Sequence, residues 1–243
     1  MRRRLALGSL ILSLSIPAFS QTATLEALFK TSNFTPVENA LDPGKSRDPE
    51  ALYLFSKIKE GVHKTEEAVA LAEAAVKLNP YEAKYHLQLA RVLSDKTNNV
   101  GMMKRMSLAG RIRSELETAV RLEPRNTDCL FGLMIFYQTA PGMLGGSKSK
   151  ARHIAQEIAR IDESMGYLAQ AQLVRKSRAD QIENLYLSAV KANPGNVDAI
   201  LALANYYASN AQQRYGSAGQ YAEQALRDLE VTLGELNFRA ASR

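Results

Sequence analysis

Apolar residues along this chain recur at helical spacing, and the runs are separated by short polar breaks that resemble one another. Ala68, Leu71, Ala72, Ala75 and Val76 mark one apolar face, Tyr85, Leu89, Ala90 and Leu93 a second, and Ile112, Leu116, Ala119, Val120 and Leu122 a third. The pattern predicts a hairpin of helices over 50–60 and 65–78, with Gly61 as the breaker and Thr65-Glu66-Glu67-Ala68 as a capped start. A helix follows Pro80 and stops in the polar stretch 94–99, and a long one runs from near Val100 to Leu122, with Gly110 a tolerated weak point. Helices over 127–137 and 147–161 flank a glycine-rich loop, Pro141 to Gly146. A fourth hairpin takes 167–174 with 179–192, and a fifth 197–209 with 217–233.

The breaks carry a repeated phrase. Ala75-Val76-Lys77-Leu78-Asn79-Pro80, Ala119-Val120-Arg121-Leu122-Glu123-Pro124 and Ala189-Val190-Lys191-Ala192-Asn193-Pro194 each close an apolar run on a proline, and a new run begins a few residues later. Pro80 and Pro124 are 44 residues apart and Pro124 and Pro194 are 70 apart. The longer interval divides into two units of about 35 if Ile158-Ala159-Arg160-Ile161-Asp162-Glu163 is a copy without its proline, and the 44-residue unit carries an insertion between Ser94 and Gly110.

The ends read differently from this body. Arg2, Arg3 and Arg4 precede an apolar stretch from Leu5 to Ile16 and then Ala18-Phe19-Ser20, the pattern of a secretory signal cleaved after Ser20; the stretch is too short to span a bilayer. A periplasmic or secreted protein is therefore expected. No stable membrane insertion is expected once the signal is removed. Residues 21–49, with Pro36, Pro43, Gly44 and Pro49, form a leader, 50–238 the repeat domain and 239–243 a frayed end.

Removal of the three signal arginines lowers the formal charge from +6 to +3, and basic and acidic residues are interspersed along the helical runs. Nucleic acid is thus an unexpected partner. The single cysteine, Cys129, sits in an apolar run and reads as a small buried hydrophobe, so stability must come from packing.

These residues resemble the tetratricopeptide repeat family over about Glu50 to Leu233. Small residues fall where paired helices of that family cross: Ser56, Ala90 and Ala204 in first helices, and Ala68, Ala75, Ala119, Ala151 and Ala189 in second helices. Leu52, Leu89, Leu133 and Leu203 match its packing leucines, and Tyr137 and Tyr207 its aromatic near the end of the first helix. The family's opening tryptophan is missing, and the fourth unit fits poorly. The resemblance implies an all-α, right-handed α-solenoid of about five helical hairpins, whose first helices line a concave groove that holds a protein or peptide. Transferred onto this chain, the groove would present Tyr53, Lys57, Lys84, Gln88, Arg91, Asp128, Phe131, Ile135, Asp198 and Asn205. A subfamily clamps peptide carboxylates with Lys, Asn and Arg in three consecutive repeats. Here Lys57, Lys84 and Arg91 are followed by Asp128, Gly132 and Ile135, so chaperone-tail binding is not expected.

Catalytic and metal chemistry find little support. Gly142-Met143-Leu144-Gly145-Gly146-Ser147-Lys148-Ser149 misses a phosphate-binding loop by one residue, Ser147 standing where the second glycine belongs, and such a loop also needs a preceding strand, for which only 131–137 could serve. A weaker anion site at Ser147 and Lys148 competes with a simple capped helix start. His63, His86 and His153 fall in three different hairpins without metal-ligand spacing, and no cofactor or metal is implied. Met102, Met103 and Met106 read either as an adaptable apolar surface or, by preference, as core or loop filling. The expected function is a non-enzymatic exported scaffold. A small-ligand accessory protein of a transport system is the alternative, and a deep pocket pairing His86 or His153 with a carboxylate would favour an enzyme.

Overall fold

The computed structural model describes residues 47–97, 100–175 and 179–215. The expected signal segment, nearly all of the expected leader, the helix expected over 217–233 and the end expected to fray lie outside the described residues. All regular structure within them is helical: α1 (Pro49–Gly61), α2 (Thr65–Leu78), α3 (Ala83–Lys96), α4 (Met102–Leu122), α5 (Thr127–Thr139), α6 (Lys148–Ile161), α7 (Glu163–Val174), α8 (Ile182–Ala192) and α9 (Val197–Tyr215). Short 3-10 turns occupy Gly142–Leu144 and Ala179–Gln181. The chain forms two compact units that divide after Pro80.

In the first unit α1 and α2 pair as a hairpin. Ala51, Leu54, Phe55 and Ile58 are buried on α1, with Tyr53 and Leu71 against them. The helices approach closely because both partners are small at the crossing: the Ser56 hydroxyl donates to the Ala68 carbonyl at 2.9 Å, which also satisfies a buried polar atom. Two details depart from the sequence reading. Gly61 does not break the hairpin, since α1 runs through it and the chain turns at His63, whose φ of 59° is left-handed. Thr65 is the first helical residue of α2 and no side chain caps that end, whereas α1 starts at Pro49 behind an Asp48 cap.

In the second unit α3 pairs with α4, α5 with α6 and α7 with α8, while α9 packs on α8. The first helices also lie side by side, α3 against α5, α5 against α7 and α7 against α9. Ala83, Ala119 and Cys129 are fully buried between α3, α4 and α5, with Leu87, Val120 and Leu122 closing over them. Burial, aided by the nearby charges of Glu123 and Asp128, pushes the Cys129 thiol up to about 12. It is a packing group, as its apolar run suggests.

The repeated phrase has one structural meaning. The N–H groups of Asn79, Glu123, Asp162 and Asn193 bond the carbonyls of Ala75, Ala119, Ile158 and Ala189, so each second helix ends on the same place of the phrase, the copy at Ile158 included. At three of these ends Pro80, Pro124 or Pro194 follows in a short turn. At the fourth there is no turn: Asp162 ends α6 and its side chain accepts from the Met165 N–H to cap α7. Hence α7 begins at Glu163, a turn earlier than the apolar pattern suggests, and the two units are 39 and 31 residues (162 − 123 and 193 − 162) in place of two of 35. Gly166 permits this tight junction, since a Cβ there would stand 2.6 Å from Cα and Cβ of Ala159. The inserted residues of the 44-residue unit appear largely as helix: α4 has 21 residues where its partner α3 has 14.

Candidate binding face

Counting from the cap gives each first helix the same phase. The fifth helical residue is Tyr53 in α1, Leu87 in α3, Phe131 in α5, Tyr167 in α7 and Leu201 in α9. All five are apolar or aromatic, and all remain partly open to solvent, Leu201 at 54% the most so. In the second unit four of them sit on consecutive neighbouring helices. A Cβ on Gly132 would stand 3.0 Å from the Leu87 Cδ1 methyl and 3.1 Å from a Leu116 methyl, so the glycine lets α3 and α5 close up.

Polar groups of both signs border this stripe. Lys84 and Arg91 lie on α3, Asp128 and Ile135 on α5, and Asp198 and Asn205 on α9. Arg91, Asp128, Asp198 and Asn205 are exposed, while Lys84, Phe131 and Ile135 are half-buried. The Lys84 ammonium stands 5.5 Å from the Tyr85 ring centroid. Asn126 caps α5 through the Asp128 and Cys129 N–H groups, and Asn196 caps α9 through those of Asp198 and Ala199. The caps therefore fix where Asp128 and Asp198 stand. In the first unit Lys57 lies over the Tyr53 ring at 5.4 Å.

One expected groove residue is misplaced. Gln88 is 3% exposed and turns into the packed side of α3, one position beyond the open Leu87, because phase is set by the Glu82 cap position. Leu87, Tyr167 and Leu201 were not expected at all. Counting seven residues from each proline reaches Leu87, Phe131 and Leu201 alike; only Tyr167 needs alignment on the cap, since the α7 junction has lost its turn and its proline.

The glycine-rich loop is not a phosphate loop. Residues 131–137 lie in α5, not in a strand, and the loop N–H groups turn inward: Gly146 donates to the Pro141 carbonyl at 3.1 Å and Ser147 to that of Tyr137 at 2.8 Å. A side chain on Gly146 would collide with the Ala140 carbonyl. Ser147 caps α6 by accepting from the Lys150 N–H, and Lys148 is exposed beside it. Lys150 reaches over the Tyr137 ring at 5.0 Å, and the Tyr137 hydroxyl donates to Glu117 at 3.0 Å. Burial, followed by this bond to a carboxylate, raises the Tyr137 pKa above its usual value.

His86 does meet a carboxylate: its Nδ1 lies 2.6 Å from Glu115 Oε2. The His86 side chain is only 8% exposed, and the bond ties α3 to α4 within the packed hairpin. Such a pair is a structural tie unless a substrate can reach it. Among the described residues no group of three or more His, Cys, Asp or Glu side chains gathers at metal-binding range. Nor is any helix among them long and apolar enough to cross a membrane.

No protein-family model and no curated protein matches the chain. Solved structures do. A thermophilic TPR protein of Thermus thermophilus superposes with a TM-score of 0.61 at 19% identity, covering 76% of this chain and 96% of its own. The fold is the tetratricopeptide repeat fold. YrrB, a TPR protein with an unusual peptide-binding site, aligns at 16% identity over 88% of this chain and 98% of its own with a TM-score of 0.42, too low to bear on the reading. Within the tetratricopeptide framework α1, α3, α5, α7 and α9 are the first helices of their repeats, and α2, α4, α6 and α8 the second.

Proposed function

We propose that the chain is a non-enzymatic, exported scaffold that binds a protein or peptide along its first helices. The recurrence of one apolar or aromatic residue at the fifth place of every first helix carries this reading. Tyr53 and Leu87 also pack against the core beneath them, and the part of all five that stays open to solvent is what a bound segment would meet. Spaced anchors on neighbouring helices suit an extended segment, which meets one anchor per helix, with Arg91, Asp128, Asp198 and Asn205 selecting its polar groups. The Arg-rich start and the short apolar stretch before Ser20 support export. Replacing Phe131 and Arg91 together by alanine is expected to abolish partner capture while circular dichroism stays unchanged. Retained capture would refute the assignment of this face.

A further inference from the structure

The first two turns of α4 are exposed on every side. Each residue from Gly101 to Ser107 is exposed, because α4 has seven residues more than α3 and extends about 10 Å beyond what its partner needs. Met102, Met103 and Met106 were expected to fill core or loop, yet they stand in solvent at 69%, 87% and 46% exposure. Met106 is one turn from both of the others, so the three share one side of the tip.

Charge around these methionines has one sign. Lys104, Arg105, Arg111 and Arg113 are the charged residues of α4 before Glu115, and no acid occupies its first turn. Cations at a helix start oppose the helix dipole, at roughly 0.3–1 kcal/mol each, so the arrangement costs stability in the isolated chain. The Arg105 guanidinium donates to the Val100 carbonyl at 3.2 Å, which keeps it at the tip. An anionic surface would offset that cost. The tip is a projecting end and not a groove, so it demands no complementary cavity in its partner.

The geometry points to a peripheral docking site in which the α4 tip enters the interface of an anionic lipid bilayer, methionines among the acyl chain ends and Lys104 and Arg105 at the headgroup phosphates. Three thioether side chains give shallow, reversible burial, and each nearby cation contributes about 1 kcal/mol on an anionic surface. Such docking would hold the first-helix face at the membrane while leaving it open.

The chain contains no tryptophan, so one introduced residue reports its own surroundings. The full chain carrying Met103→Trp is mixed with vesicles of phosphatidylcholine containing about 30% phosphatidylglycerol. Its emission should shift to the blue and be quenched by brominated acyl chains. With phosphatidylcholine alone, or at high salt, both effects should vanish. Tyr81→Trp, placed before the opposite end of α3, should remain unquenched, which separates tip insertion from anchoring by the apolar N-terminal stretch. Adding Lys104→Glu and Arg105→Glu should weaken the partition at least about tenfold. Unchanged Met103→Trp emission on anionic vesicles would overturn the proposal, as would equal insertion into neutral ones. Binding of an acidic peptide at the tip with no lipid response would also overturn it and assign the tip to a protein partner.

Discussion

Two regions of the second unit show apolar side chains to solvent, and they do so for different reasons. Along the first helices Leu87, Phe131, Tyr167 and Leu201 occur once per repeat, at a place set by the cap, with polar groups of both signs beside them. At the start of α4 Met102, Met103 and Met106 crowd into two turns, in an insertion, among cations alone. The first arrangement is maintained by the repeat and recurs with it, whereas the second exists in one repeat only. Exposure alone would rank the methionines first; recurrence ranks the first-helix stripe first. The comparison teaches that in a repeat protein the informative quantity is position within the unit.

The largest effect should come from disrupting the row itself. Gly166→Ala forces α7 away from Ala159 and should cost about 2 kcal/mol, read as a lower urea midpoint. An unchanged midpoint would show that α6 and α7 do not cross as closely as described. Phe131→Ala should weaken the partner by about 2 kcal/mol, roughly thirtyfold, while Met103→Ser leaves capture intact; the opposite ranking, measured by titration calorimetry, would move the binding face to α4. Ser164→Ala removes a buried hydroxyl that donates to the Ala189 carbonyl at 2.8 Å and accepts from Asn196 at 2.9 Å, so a loss of about 1–2 kcal/mol is expected. The smallest effects concern stability at the exposed tip and reactivity within the core. Met103→Ser should change stability by less than about 0.5 kcal/mol. The Cys129 thiol, pushed up to about 12, should resist iodoacetamide at pH 8 until denaturant is added; rapid labelling of the native chain would contradict its burial.

Much of the fold is legible in the residues. Apolar spacing and the proline phrase locate the helices because helical period and helix termination are local properties. The copy at Ile158 is found by the same phrase, and its carbonyl takes the same cap bond as Ala75, Ala119 and Ala189. What escapes is the set of features decided between elements. The missing turn at Asp162 depends on the fit of Gly166 against Ala159, which neither residue announces. His63 takes the left-handed turn that Gly61 is the obvious candidate for, because α1 continues one residue further. The site is half legible: Tyr53 and Phe131 follow from phase, Leu87 and Leu201 stand at the same distance from their prolines as Phe131, Gln88 is buried instead, and Tyr167 emerges only once the Asp162 cap is known. The bond between His86 and Glu115 spans 29 residues and has no signature in spacing.

A photocrosslinking residue placed in turn at Leu87, Phe131, Tyr167 and Leu201, and at Arg121, Gln156 and Lys191 on the second helices, tests the central claim most directly. A single shared adduct from the first set and none from the second is the predicted result. Adducts of equal yield from the second-helix positions, or four unrelated adducts from the first set, would contradict a common binding face along the first helices.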